Sequence, residues 1–374
     1  MTAHAQPSPR ASRLEAGAGA DGASLAAGAP GGASILVPVL NEEEHIRETV
    51  AAMQRQEFDG ELEFLFMDGR STDRTRQILE ELQREDARVH VLDNPARHTA
   101  AALNVGLRAA RGEFTARMDA HTLYPPDYVA RGVERLARGD VAWVSGPQVP
   151  QGTGSWSCRV ALALESPLGT GPSKRWGDGP AGADEVELDT GVFAGVWRRA
   201  TLAAHGGWDE GWPINQDSEL AARFLEAGER IVSLPALAAR YVPRNSPRSL
   251  ARQYFRYGNY RAKTARRHPA SLRRGNLLPP GLTLAVVLAL AGPRGGRRAA
   301  RIGIGIYGLA VSAAAARAAA AGHGRDGLGV AAVLPIMHLT WGAGFLTGSA
   351  RFGPPLAAFA RLASPSRART ARAH

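Results

Sequence analysis

From residue 34 onward, short apolar runs alternate with stretches in which apolar residues recur every three or four positions. Residues 34–39 form a β-rich run, and residues 42–54 follow with Ile46, Val50 and Met53 at helical spacing. The alternation repeats: a strand at 62–67 and a helix at 72–84 with Ile78, Leu79 and Leu82 on one side; a strand at 89–92 and a helix at 99–110; a strand at 114–118, a helix at 126–138 and a strand at 141–144. Strands alternating with helices imply right-handed crossovers and a mainly parallel sheet covered on both faces. The expected fold class is therefore α/β. A further amphipathic helix is expected at 217–228, with Leu220, Phe224 and Leu225 inward.

The pattern fails at both ends and at one internal loop. Residues 1–33 are Ala, Gly, Ser and Pro with few large apolar side chains, so a disordered tail is expected there. That tail has no compact apolar stretch after a basic start, which argues against a cleaved secretory signal. Residues 169–184 form a Gly/Pro-rich loop longer than an ordinary connection. Beyond residue 269 three apolar segments, 277–292, 302–322 and 328–348, are separated by short polar breaks, and the last two approach bilayer-spanning length. Three crossings would place the Arg-rich break 294–301 and the basic tail 351–374 opposite the α/β domain, against the positive-inside bias. The expectation is a hairpin of two spanning helices with its 323–326 loop on the far side, and 277–292 lying in the near leaflet. Arg317 inside the first spanning helix is a cost to this arrangement. The division expected is a tail at 1–33, an α/β domain at 34–260, a basic juxtamembrane linker at 261–276, membrane-associated helices at 277–350 and a basic tail at 351–374.

Charge sharpens this picture. The formal net charge is +10, and the arginines crowd beside the apolar segments, as expected of a juxtamembrane protein meeting acidic headgroups. No nucleic-acid-binding module accompanies them, so nucleic acid is not an expected partner. The single cysteine, Cys158, excludes an internal disulfide and a cysteine-rich metal site. Two Gly-x-Gly-x-x-Gly matches, 17–22 and 303–308, lie in the tail and in an apolar helix, and neither follows a strand, which removes the main support for a dinucleotide dehydrogenase.

Candidate chemistry sits at strand ends. Asp68-Gly-Arg-Ser-Thr-Asp73 follows one strand, and Asp119-Ala-His121 follows another some fifty residues later. In an open parallel sheet the strand carboxyl ends form the ligand crevice, so the two acidic turns can meet one nucleotide and its metal. By local rules Asn41 and Glu42 suit a helix start, and Asp73 and Asp217 are each readable as helix caps.

With Pro38-Val-Leu-Asn41-Glu42, Asn104-x-Gly106, Gly206-Gly-Trp-Asp-Glu210, Gln216-Asp217 and Gln253-Tyr-Phe-Arg256-Tyr257, these motifs resemble the ordered signature of family 2 inverting glycosyltransferases of GT-A fold. The resemblance covers about residues 34–260. The apolar segments suit a branch similar to succinoglycan-type exopolysaccharide glucosyltransferases. It implies a Rossmann-like, mainly parallel sheet, nucleotide contacts from Pro38, Asn41, Glu42, Asp68 and Asp119, and a divalent cation, Mn²⁺ or Mg²⁺, at Asp119 and His121. His121 stands where the family pattern has a second Asp. That removes one negative charge and favours nitrogen-tolerant Mn²⁺, and leaves open whether His121 binds metal or phosphate.

The resemblance makes Asp217 the base that deprotonates the acceptor hydroxyl, with Gln216 in place of the family's Glu. Gln253, Arg256 and Tyr257 resemble an acceptor- and diphosphate-binding Gln-x-x-Arg-Trp element, with Tyr in place of Trp. The same helix also reads as an interfacial one whose arginines meet lipid phosphates. The implied activity is hexose transfer from a nucleotide-sugar, with a UDP-sugar expected, to a lipid-linked or growing saccharide at the cytoplasmic face of the cell membrane. Two alternatives remain: a polyprenyl-phosphate sugar synthase, and a non-catalytic nucleotide-binding membrane scaffold motivated by Gln216 and His121.

Overall fold

The computed structural model describes residues 29–171, 184–191 and 194–364. Most of the expected N-terminal tail, the centre of the Gly/Pro-rich loop and the end of the basic tail therefore lie outside the described residues.

The first half follows the expected alternation: β1 (Ala29–Val39), α1 (Ile46–Gln54), β2 (Leu62–Asp68), α2 (Thr75–Glu85), β3 (Val89–Asp93), α3 (Thr99–Ala109) and β4 (Gly112–Arg117). After it come β5 (Thr122–Leu123), α4 (Tyr128–Ala137), β6 (Trp143–Ser145), β7 (Gln148–Pro150), α5 (Ser155–Glu165), α6 (Pro167–Thr170), β8 (Val186–Leu188), β9 (Gly195–Arg198), α7 (Arg199–Ala204), α8 (Gln216–Glu226), β10 (Ile231–Ser233) and β11 (Ala239–Tyr241). The main sheet runs β3-β2-β1-β4-β9-β6-β10-β8, and a small sheet runs β5-β11-β7. β1 pairs in parallel with β2 and β4, while β9 enters antiparallel between β4 and β6. The α/β class with a mainly parallel centre holds.

Period-two alternation distributes the strand side chains to two cores. Ile35, Val37 and Val39 of β1 pack with Ile46, Val50, Phe64, Phe66 and Leu79 on one face of the sheet. Leu36 faces the other, with Leu65, Met67, Leu103, Trp143, Trp197 and Phe224. The indole rings of Trp143 and Trp197 lie 5.0 Å apart, and that of Trp208 stands edge-on to Trp197 at 5.6 Å, which fastens β6, β9 and the segment before α8 into this second core.

Three expected boundaries differ. The strand begins at Ala29 rather than Ser34, because residues 29–33 continue the ladder opposite Gly112 and Leu62, and Ala33 N–H donates to the Glu61 carbonyl. Small residues suit this edge, since the Gly112 backbone packs directly on Gly32 and Ala33. The expected linker 261–276 is mostly helix: α9 (Pro247–Arg267) is pinned to the catalytic domain through Trp212 Nε1 to Thr264 Oγ1 (2.9 Å), Arg267 to Asp209 (2.7 Å) and His268 to Glu226 (2.8 Å). The expected basic tail starts with a further docked helix, described below.

Three long helices follow: α10 (Leu278–Ala291), α11 (Arg294–Ala318) and α12 (Gly324–Phe352), then the short α13 (Leu356–Ala363). The Arg-rich break 294–301 is the first part of α11, not a loop. Two stretches, Arg274–Ala291 and Arg294–Phe352, are long and apolar enough to cross a membrane. α13 buries Ala358 against Ala262, Ala265 and Phe345, and Arg361 donates to the carbonyls of Pro269, Ala270 and Leu272.

α12 lies along α9 at backbone contact, Gly344 on Phe255, Gly348 on Asn259 and Trp341 on Gly258. Only glycine permits this approach, because a Cβ at position 344 would overlap the Phe255 carbonyl oxygen. Gly344→Leu is expected to separate the two helices and cost about 2 kcal/mol or more, as overpacking of a close interface does, read as a lowered midpoint in thermal unfolding of the detergent-solubilised protein.

Candidate active site

The carboxyl ends of β1, β2 and β4 and the start of α3 surround an open cleft lined by Pro38, Glu42, Gly69, Asn94, Arg97, His98, Arg117, Asp119 and His121. Of the residues expected to bind nucleotide or metal, Pro38, Glu42, Asp119 and His121 line this cleft. Asn41 and Asp68 instead shape its wall. Asn41 adopts a left-handed backbone (φ 55°); its N–H donates to Ser71 Oγ (3.0 Å) and its Oδ1 accepts from the Thr72 N–H (2.8 Å), which ties the loop after β1 to the loop after β2. Asp68 is buried and accepts from the Ser71 hydroxyl at 2.6 Å. Asp73 accepts from the Thr75 N–H at the start of α2, as a capping residue does.

Arg117 is the residue that the sequence pattern does not reveal. Phe114, Ala116 and Met118 belong to the core on one side of the sheet, so alternation turns Arg117 to the other side, toward the start of α8. There its buried guanidinium donates Nε to Asp119 Oδ1 (2.9 Å), Nη2 to Asp119 Oδ2 (3.2 Å) and Nη1 to Asp217 Oδ1 (2.6 Å). The side chain is 4% exposed, and those of Asp119 and Asp217 are 17% and 16% exposed. One cation thus joins two residues that are 98 positions apart in the chain. An arginine two positions before Asp119, at the end of a strand whose Phe114 and Ala116 are core residues, was the available signal.

Asp217 stands in the first turn of α8, after Asn215 in a left-handed conformation (φ 62°). Asn215 Nδ2 donates to the Tyr257 carbonyl (2.9 Å), so this strained turn is held by α9. Gln216 Nε2 faces Asp217 Oδ2 at 3.3 Å, where a glutamate would have set a second negative charge beside the first. Burial pushes the Asp217 carboxyl up to about 6, against the opposing pull of Arg117 and with a smaller upward push from Asp119. His121 Nδ1 lies 3.3 Å from Glu42 Oε1, and this hydrogen bond raises the imidazole above its ordinary value against a partial loss of solvent in the cleft. The Tyr124 hydroxyl accepts from the Asp119 N–H (2.9 Å) and fixes the turn.

On α9, Gln253 Nε2 donates to the Tyr257 hydroxyl (2.9 Å), and the two side chains sit beside Tyr241, while Arg256 is exposed. Burial raises the Tyr257 phenol to about 12, so it stays a neutral donor. Gln253 and Tyr257 therefore share one polar cluster at the Asp217 side of the site, and Arg256 projects from it to solvent.

Asp119 and His121 offer one carboxylate and one imidazole to the same cleft. No group of three metal-ligating side chains occurs among the described residues. This donor set fits a divalent cation that takes its remaining ligands from a bound diphosphate, and not one caged by protein alone.

Fold and cleft together define a nucleotide-sugar glycosyltransferase architecture, and comparison with known proteins bears on it directly. Residues 34–178 match glycosyl transferase family 2. The chain is 35% identical over 324 residues to the succinoglycan biosynthesis protein ExoA of Rhizobium meliloti (strain 1021), across 83% of this chain and 93% of that protein. The protein belongs to glycosyltransferase family 2 and is a glycosyltransferase. A second relative, the dolichyl N-acetyl-alpha-D-glucosaminyl phosphate 3-beta-D-2,3-diacetamido-2,3-dideoxy-beta-D-glucuronosyltransferase of Methanococcus voltae, is 25% identical over 234 residues, 60% of this chain and 71% of that protein. Among solved structures, the mannosyltransferase PcManGT from Pyrobaculum calidifontis, in complex with GDP-Man and Mn²⁺, shares the fold with a TM-score of 0.53 at 21% identity, covering 84% of this chain and 86% of that one.

Removing one partner of a buried charge pair leaves the others uncompensated, at a cost of about 3–5 kcal/mol. Arg117→Met is expected to lower stability by that order in urea unfolding. Because the cost arises from the stranded carboxylates, adding Asp217→Asn to Arg117→Met should recover part of the loss rather than add to it.

Proposed function

We propose that this protein transfers a hexose from a nucleotide-sugar to a saccharide acceptor with inversion at the anomeric carbon, in exopolysaccharide assembly at the cytoplasmic face of a membrane. The observation that carries the reading is the convergence of Asp217 with Asp119 on one buried guanidinium at the edge of the cleft. Two carboxylates around one arginine leave a net negative charge there, which attracts a cation. Arg97 and the start of α3 contribute positive character from the other wall. Such a division suits a nucleoside diphosphate lying across the cleft with its cation against Asp119 and His121.

In this mechanism Asp217 accepts the proton of the acceptor hydroxyl as its oxygen attacks the anomeric carbon and the nucleoside diphosphate departs. A carboxyl raised to about 6 is ionised at neutral pH, yet basic enough to take that proton. Gln216 and Arg117 hold the two carboxylate oxygens in fixed directions, so the base does not reorient during the step. Asp119 and His121 would hold a divalent cation, which would supply positive charge to the leaving diphosphate. Gln253 and Tyr257 offer neutral hydrogen-bonding groups suited to sugar hydroxyls, which supports a saccharide acceptor over a bare polyprenyl phosphate. A UDP-sugar donor and a lipid-linked acceptor complete the reading.

Asp217→Asn is expected to lower kcat at least about a hundredfold while leaving donor affinity nearly unchanged. The wild-type kcat/KM should fall as pH drops through about 6, because the protonated carboxyl can no longer accept a proton, and should level off above it. Near-wild-type turnover by the variant removes Asp217 from the chemical step. Exchange of His121 for a carboxylate tests the cation site separately. His121→Asp should move the activity ratio toward Mg²⁺ over Mn²⁺, and unchanged titrations with both ions exclude His121 as a ligand. Transfer to a lipid-linked saccharide, compared with transfer to polyprenyl phosphate, decides the acceptor.

A further inference from the structure

Both ends of α12 are held by the catalytic domain. At its start Asp326 accepts from Arg159 of α5 at 3.0 Å, and Gly329 packs against the same arginine side chain. Midway, His338 Nε2 lies 3.0 Å from the Leu168 carbonyl of α6. At its end the Phe352 ring meets Tyr260 of α9 at 5.7 Å, and Gly353 abuts the Arg266 guanidinium. A helix of 29 residues is about 43 Å long, so these contacts lay it flat along the domain. The 323–326 loop, expected on the far side of a bilayer, instead lies beside α5. Asp326 is moreover the sole acidic residue after Glu229, and it is spent on this contact.

α10 and α11 cover the opposite side of α12, joined to it by Thr283 Oγ1 to the Leu339 carbonyl (3.2 Å) and by Tyr307 to His338 Nδ1 (2.8 Å). Their outward faces carry Leu284, Val287, Leu290, Ile302, Ile306 and Leu309, with Leu290 77% and Leu309 74% exposed. Exposed apolar surface on this scale marks an interaction face. Arg294, Arg298 and Arg301 stand exposed at the turn between the two helices. An apolar face edged by arginines, with no acidic residue nearby in the chain, complements an anionic headgroup layer over acyl chains.

We infer that α10 and α11 form a pad that enters one leaflet of an anionic membrane from the catalytic side, with α12 as the keel joining it to the domain, and that no helix of the 278–352 region crosses to the other side. This rests on the membrane-attached reading and specifies its geometry. The cleft is thereby held at a fixed height above the headgroups, because α9 touches both α12 and the Asn215 turn beside Asp217.

The test uses full-length protein in a Cys158→Ser background with single cysteines at His323→Cys, Gly295→Cys and Ser364→Cys, all exposed positions. Membrane vesicles of each orientation are sorted by protease access to the catalytic domain. With that domain outward, all three cysteines are expected to react with an impermeant thiol reagent. With it inward, none should react until the vesicles are opened. Reaction of His323→Cys only from the side opposite the catalytic domain overturns the in-plane pad in favour of a crossing hairpin, and leaves membrane attachment intact. A protein that stays soluble after lysis and fails to float with phosphatidylglycerol vesicles overturns the membrane reading and the pad together. A lipid-free dimer that shields a nitroxide at Leu309→Cys overturns the lipid assignment in favour of a second copy of the chain.

Discussion

A guanidinium buried between two carboxylates is stable only when both are present, since each desolvated ion costs several kcal/mol that its partners must offset. Arg117 therefore imposes a geometric condition on the whole protein. The end of β4 and the first turn of α8 must lie within one side-chain length of each other, or the charge is stranded. β9, inserted between β4 and β6, brings the chain back across the sheet, and the Trp143–Trp197–Trp208 cluster fixes the segment leading into α8. Hydrophobic packing supplies the stability, and the ion cluster selects the register in which Asp217 and Asp119 face one cleft.

The same constraint passes outward. Asn215 needs a left-handed backbone to start α8 where Arg117 requires it, and the Tyr257 carbonyl holds that turn. Tyr257 belongs to α9, whose next turns are locked to the catalytic domain by Arg261, Thr264 and Arg267 on one side and to α12 by glycine contacts on the other. Asp217, Tyr257 and the apolar helices α10 and α11 are consequently links of one packed series. Movement of α10 and α11 relative to the cleft would have to break either the Asn215 turn or the α9–α12 interface.

The alternating half of the chain was legible because its signals are local. Helices with Ile, Leu and Val at three- and four-residue spacing, and strands with continuous apolar runs, announce themselves within a window of ten residues. β5, β7, β8, β9, β10 and β11 did not, since each is two to four residues long and is defined by its neighbours rather than by its own composition. The candidate site divided in the same way. Asp119, His121, Glu42 and Asp217 stand in motifs of recognisable order, whereas Arg117 acquires its meaning only from a partner 100 positions away. Asp68 and Asn41 stand in equally clear motifs, and their side chains join the loops after β1 and β2 through Ser71 and Thr72, a contact that no local pattern announces.

The C-terminal region poses a related problem. Hydropathy reports how apolar a helix is, not what covers it. α12 is apolar and long enough to span, and much of its surface is buried by α9, α5, α10 and α11, with Val330, Val333, Leu334 and Met337 fully enclosed. α11 is scarcely more hydrophobic to the eye, with its alanines and glycines, yet it leaves most of residues 301–310 exposed. α12 has protein along most of its length, with Leu328 exposed near its start, whereas the outward faces of α10 and α11 are open. The in-plane arrangement inferred above rests on one ion pair and a row of glycines: Asp326 meets Arg159 of α5 at the beginning of α12, and Gly344 and Gly348 hold its later turns against α9.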